Sequence, residues 1–253
     1  MKTENHDAII LSSNQEKDDL SILTDLLKNS PVPEDEKLAN IGLFLTSKNL
    51  SRLLFFNEIY KKVINTHGVI MEFGVRWGQT LSILSALRGI YEPFNRHRKI
   101  IGFDTFEGFK GIDKEKDGNL NKCKEGSYSV KSGYEADLNQ ILQIQENLNP
   151  MSHIKKFSLE KGDASETIPK YFQKHPETIV SLAILDFDIY KPTKIALENI
   201  KPHLCKGSII VFDELCDEYF PGETLALQEV FGINNVKIQR SQHTARVSYC
   251  VIE

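Results

Sequence analysis

The sequence has no C-x-x-C pair, no excess of basic charge and no apolar run of membrane-spanning length. Its four cysteines, Cys123, Cys205, Cys216 and Cys250, are scattered, which argues against a zinc knuckle or thioredoxin-type redox site and leaves reduced, structural thiols. A formal net charge of -4 supplies no global basic field of the kind that dominates nonspecific nucleic-acid binding. Nucleic acid is therefore not an expected partner. Near the N-terminus only residues 8–11 are continuously apolar, too short a stretch for the core of a signal peptide. With no membrane partner indicated either, the expected location is the cytoplasm.

What is present is enough chain, 253 residues, for one large α/β domain with additional helices. Its organising stretch is residues 69–80, VIMEFGVRWGQT. Val69, Ile70 and Met71 read as a buried strand with Glu72 at its carboxyl end, and Gly74 and Gly78 frame a turn into a helical pattern of Leu81, Leu84 and Leu87. Strand, glycine turn and helix in that order are how open α/β sheets hold a nucleotide, because glycine lets the backbone approach the ligand. The E-x-G-x-x-x-G lacks the third glycine of the dinucleotide fingerprint. Taken alone it fits a cofactor turn and an ordinary tight turn equally.

Ahead of this core the spacing predicts a helix over residues 18–28, with Leu20, Leu23 and Leu27 in phase, and a helical region after Pro33. A stronger helix follows, capped by Ser47, with Leu50, Leu53, Leu54, Tyr60 and Ile64 on its apolar face. Apolar helices placed before a sheet serve as a lid or as a subunit contact, and both readings stand. Beyond the glycine turn, strands are expected at residues 99–103, 154–159, 179–185 and 208–212, and a closing hairpin at 236–240 and 246–252. The β-α-β-α alternation predicts a doubly wound, mostly parallel sheet with a final antiparallel element. Residues 110–133 are polar and have no apolar period. A loop of that length is usually functional or unstructured, and here it is read as a lid covering the substrate.

The ends of these strands carry acids. Asp104 ends the second, where doubly wound folds place an acid on ribose hydroxyls, although Asp also begins turns. Asp163 follows the third, Asp186 the fourth, and Asp213 with Glu214 the fifth. Neighbouring strands would bring Asp186, Asp213 and Glu214 together at the edge of the sheet. Clustered carboxylates repel unless one is protonated or a cation lies among them, and an all-oxygen set suits magnesium, calcium or manganese rather than zinc.

VIMEFGVRWGQT, IIGFDTFEGF, EKGDASETIP, LAILDFDIYKPT and GSIIVFDEL, in this order, resemble class I S-adenosylmethionine-dependent methyltransferases. More narrowly, the chain is similar to macrocin-type (TylF-like) sugar O-methyltransferases, from about Leu45 to the C-terminus. The resemblance implies a Rossmann-like methyltransferase domain, expected over residues 67–253 with the lid near 110–133, and the helices read from spacing ahead of it form an expected extension over 1–66, whose first forty or so residues lie outside the resemblance. It implies that Glu72, Gly74 and Gly78 form the first cofactor loop and that Thr80 meets the methionine carboxylate. Asp104, with Thr105 and Phe106 beside it, would take the ribose, and Asp163 and Ala164 the adenine. Asp186, Asp213 and Glu214 match the family's magnesium ligands, with Asp186 also the general base. Glu214 departs from the more common Asp. The expected activity is metal-dependent methylation of a hydroxyl on a nucleotide-linked or glycosidic sugar, with a second copy of the chain as a candidate partner. Two alternatives remain: a catechol or other phenol as acceptor, and a non-catalytic cofactor-binding scaffold.

Overall fold

The computed structural model describes residues 12–118 and 123–253. The apolar run at 8–11 and four residues of the expected lid, 119–122, lie outside the described residues. Every apolar run that ends in an acid becomes a strand of one seven-stranded sheet. In chain order these are β1 (Val69–Phe73), β2 (Ile100–Asp104), β3 (Phe157–Lys161), β4 (Val180–Leu185) and β5 (Leu204–Phe212), followed by β6 (Ile238–Arg240) and β7 (Ser248–Val251). Their spatial order is β3-β2-β1-β4-β5-β7-β6. The first five are mutually parallel, whereas β7 runs antiparallel to both β5 and β6. The chain winds outward in one direction from β1 and then in the other from β4, so the crevice between these two strands is the switch point at which such sheets bind ligands.

Helices cover both faces of the sheet. They are α1 (Asn14–Lys28), α2 (Ser47–Val63), α3 (Gln79–Tyr91), α4 (Tyr134–Asn147), α5 (Ala164–Lys174), α6 (Tyr190–Ile200) and α7 (Gly222–Val230). Phe55, Phe56 and Ile59 of α2 and Leu81 and Leu84 of α3 pack on one side. Ile168 and Phe172 of α5, Ala196 and Leu197 of α6 and Leu227 of α7 pack on the other. All six residues of β4 are buried, which is why its sequence is apolar but for Ser181 rather than alternating. No helix among the described residues is long and apolar enough to cross a membrane.

Several details differ from the sequence expectation. Helix α2 is capped by Thr46, whose hydroxyl accepts the Asn49 N–H, and Ser47 is its first residue rather than its cap. The buried face of α2 is Phe55, Phe56, Ile59, Tyr60 and Val63, whereas Leu50 and Leu54 stay exposed. This helix has apolar residues nearly all round, so spacing alone does not fix which stripe turns inward. Strand β3 begins at Phe157 rather than three residues earlier, because Ile154 closes a turn by donating its N–H to the Met151 carbonyl. Helix α1 contributes no buried residue. It begins in a capping box formed by Ser13 and Glu16, four residues before its expected start.

The region behind β2 and β3 is held by a buried charge network. Arg88 on α3 meets Glu146 on α4 at 2.7 Å, and Lys156, just before β3, meets the other Glu146 oxygen at 2.6 Å. Their side chains are 1%, 0% and 3% exposed. Arg88 also donates to the Lys156 carbonyl at 2.8 Å, so both cations are tied to the same turn. Replacing Glu146 with Ala strands two buried cations without their counter-ion. Such a loss costs about 3–5 kcal/mol, and chemical denaturation should show a destabilisation of that size.

Candidate active site

A cavity of about 1500 Å³ opens at the carboxyl ends of β1, β2, β4 and β5. The parallel register sets Phe73, the last residue of β1, between Phe103 of β2 and Leu185 of β4. The residues next after these three, Gly74, Asp104 and Asp186, therefore share one edge. The backbones are close there: Gly74 has φ +96°, and a Cβ on it would lie 1.9 Å from the Asp186 carbonyl oxygen. Only glycine fits both the left-handed backbone and that clearance.

Asp104 organises the glycine loop. Its Oδ2 accepts the N–H groups of Val75 and Arg76, each at 2.7 Å, and its Oδ1 accepts that of Phe106 at 2.5 Å. Both carboxylate oxygens thus serve the protein before any ligand arrives, and what they offer a ribose is their remaining lone pairs. Thr105 closes the next turn by donating to the Gly108 carbonyl and accepting from Glu107 N–H. Asp163 is the N-cap of α5, accepting from the backbone and hydroxyl of Ser165, and it pairs with Lys110 at 3.3 Å.

Of the site residues expected from sequence, Glu72, Gly74, Thr80, Asp104 and Thr105 line the cavity, as do Asp163, Ala164, Asp186, Asp213 and Glu214. Gly78 and Phe106 do not. Gly78 is the left-handed N-cap of α3, pressed against Leu138 of α4. Phe106 turns its ring into the core, where it is 5% exposed. The covering segment is less featureless than its composition implies. Cys123 is buried against Ile189 and Phe220, with Phe109, Ile112 and Tyr128 packed around them, and Phe109 and Ser127 pair through their backbones. Asp117 accepts the N–H of Tyr190 at the head of α6 at 2.6 Å, which fastens the segment beside Asp186.

The floor of the cavity is a concentration of carboxylates. Burial and the neighbouring Asp213 push Asp186 up to about 7, against the pull of Arg52 and Arg246. Burial and Asp186 raise Asp188 well above the usual carboxylate range. Glu72 and Glu223 rise for the same two kinds of reason, burial first and like charge second. Glu72 is 1% exposed and its Oε2 has no hydrogen-bond partner among the described residues. Glu214 lies against the Arg246 guanidinium through Oε1, and its Oε2 has no hydrogen-bond partner among the described residues.

Two arginines answer this charge, and sequence reasoning missed both. Arg52 of α2 reaches Asp186 at 3.3 Å, Asp213 at 3.2 Å and the Thr80 hydroxyl at 2.9 Å. Arg246, just before β7, meets Asp213 at 3.4 Å and contacts Glu214. A signal for Arg52 was present, since it stands four residues before Phe56 and seven before Ile59, a cation in line with the buried stripe of α2. Arg246 offered none. With the arginines interleaved, no three His, Cys, Asp or Glu side chains among the described residues are grouped as a metal ion requires. The donor set nevertheless suits a hard divalent cation in kind: all oxygen, partly unpartnered, and short of positive charge.

A parallel sheet with this strand order, a glycine turn after β1 and acids at successive strand ends define a class I S-adenosylmethionine-dependent methyltransferase. The chain superposes on the crystal structure of the calicheamicin methyltransferase CalS11 with a TM-score of 0.92, at 37% identity over 99% of this chain and 98% of that one. On the apo form of CalS11, a TDP-rhamnose 3'-O-methyltransferase, the TM-score is 0.85 at 36% identity, covering 98% and 99%. At this similarity over the whole chain, the protein belongs to the sugar O-methyltransferase family that includes CalS11, and it is an S-adenosylmethionine-dependent O-methyltransferase. The O-methyltransferase NovP, at 16% identity and a TM-score of 0.59 over 80% and 79%, shares the fold. The sequence matches no protein-family model and no curated protein.

The arrangement around Asp104 makes one consequence measurable. Asp104→Ala removes the acceptor for three loop N–H groups together with the proposed ribose contact. Loss of a charged hydrogen-bonding group costs about 1.5–3 kcal/mol. Calorimetry should show S-adenosylhomocysteine affinity falling by roughly 10- to 100-fold.

Proposed function

We propose that the protein methylates a hydroxyl of a deoxysugar carried on a nucleoside diphosphate, with Asp186 as the base that takes the hydroxyl proton. The observation that carries this reading is the position of Asp186: at the end of β4, lining the cavity, against the backbone of the glycine turn and paired with Arg52. A carboxylate pushed up to about 7 is matched to proton removal near neutral pH. The acceptor class is supported by CalS11, a TDP-rhamnose 3'-O-methyltransferase.

The residues fit the cofactor. The backbone cradle at Gly74 leaves no room for a Cβ, and the unpartnered Glu72 oxygen faces the same cavity. S-Adenosylmethionine supplies a methyl group already activated by its sulfonium, so the protein's share is alignment and proton removal. Asp104 would bind the ribose, Asp163 and Ala164 the adenine side, and Glu72, Gly74 and Thr80 the amino-acid end.

Asp186, Asp213 and Glu214 would hold a divalent cation, magnesium foremost, whose chemistry there is to lower the pKa of the acceptor hydroxyl. Asp186 accepts the proton, and Asp213 with Glu214 fixes the charge around it. The covering segment, through Phe109, Lys110 and Tyr128, walls the acceptor side and excludes water.

The test is turnover on a panel of nucleoside-diphosphate deoxysugars followed by mass spectrometry, where a gain of one methyl group is expected. Asp186→Asn keeps the shape but loses the base, so kcat should drop by about 10²–10⁴ with little change in cofactor affinity. Exhaustive chelation should abolish turnover and magnesium restore it. Activity that survives both the substitution and chelation would overturn the mechanism.

A further inference from the structure

Arg52 has two kinds of neighbour. Its guanidinium holds Asp213 through Nη1 and Asp186 through Nη2, the two groups that the proposed chemistry needs free. The same Nη2 also lies 2.9 Å from the hydroxyl of Thr80, in the first turn of α3. The N-terminus of this 13-residue helix opens on the cavity, where its free N–H groups and dipole favour an anion. Next to it, the buried Glu72 offers an unpartnered carboxylate oxygen, which favours a cation. An anion seat and a cation seat side by side suit an α-amino acid, and such a group forms one end of S-adenosylmethionine.

Arg52 is placed to exchange one set of partners for another. Its side chain is 27% exposed, it lies along Phe56 with the guanidinium carbon 5.2 Å from the ring centre, and its Nε has no hydrogen-bond partner among the described residues. A guanidinium binds a carboxylate through two parallel N–H donors, and here the Thr80 hydroxyl marks the direction in which one would lie.

We propose that Arg52 is a partner-switching residue. Without cofactor it bridges Asp186 and Asp213, and on cofactor entry it turns to the amino-acid carboxylate at the head of α3, releasing both aspartates. The inference rests on the cofactor placement proposed above. It makes the amino-acid end of the cofactor, rather than its adenosine, the signal that frees the acids. Cofactor binding then precedes and promotes cation binding, and by thermodynamic linkage the cation promotes cofactor binding to the same extent.

The decisive comparison is between S-adenosylhomocysteine, which carries the amino acid, and 5'-methylthioadenosine, which lacks it. Calorimetry on the full chain should show Arg52→Ala weakening S-adenosylhomocysteine at least 10-fold while leaving methylthioadenosine within about two-fold, and Arg52→Lys recovering part of the loss. Manganese binding, read by electron paramagnetic resonance, should tighten in the wild type when S-adenosylhomocysteine is present and not when methylthioadenosine is. In Arg52→Ala manganese should bind tightly without either ligand. Equal losses for both nucleosides, no loss for either, or manganese affinity indifferent to S-adenosylhomocysteine would overturn the switch while leaving the cofactor reading intact. Failure of the wild type to bind S-adenosylhomocysteine would overturn both.

Discussion

The constraint on which this structure turns is the crowding of carboxylates at one edge of a parallel sheet. Glu72, Asp186, Asp188, Asp213 and Glu214 are brought together because β1, β4 and β5 lie side by side and end at the same level, and Glu223 joins them from the first turn of α7. Like charges in a half-buried site raise one another's pKa and destabilise the fold unless something positive is near. The protein answers with Arg52 from the helices before the sheet and Arg246 from the turn before its last strand. The site is therefore completed by segments outside the parallel core, and the core's charge explains why those segments are needed.

Much of this was legible in the sequence because it depends on local rules. Strand, acid and turn recur at Glu72, Asp104, Asp163, Asp186 and Asp213, and a parallel sheet converts that recurrence in one dimension into proximity in three. What was not legible depends on which distant surfaces meet. The inward stripe of α2 was misread because Leu50 and Leu54 are as apolar as Phe56 and Ile59, and only packing against the sheet distinguishes them. Arg246 sits in a polar turn that resembles any other until β7 inserts next to β5. The small core around Cys123 likewise escaped notice, since its partners Ile189 and Phe220 come from other parts of the chain.

Asp104 shows how a residue that forms a turn can keep the geometry that a ligand would need. An acid after a strand is a turn former or a ribose ligand, and the structure shows the turn-forming half directly: three N–H groups of the two adjoining loops converge on its oxygens. A carboxylate held this way is preorganised, because the orientation that a ligand would meet is already set by the backbone. The same holds for Asp163, which caps α5 while facing the cavity.

The attachment of the covering segment through Asp117 has an implication for engineering. The segment seats Cys123 in a small core shared with Ile189 and Phe220, and it meets the head of α6 through Asp117 and through Lys116, which lies over the Tyr190 ring, so Asp117 acts as the plug of a cassette that its surroundings help to hold. Exchanging it between relatives to change the acceptor requires moving that plug with it and keeping glycine at position 222, where a Cβ would lie 2.6 Å from the Asp117 oxygen. A graft that replaces the loop but omits this pair leaves the Tyr190 amide without its acceptor next to Asp186, the proposed base, and on that proposal the fault would appear as lost turnover rather than as altered selectivity.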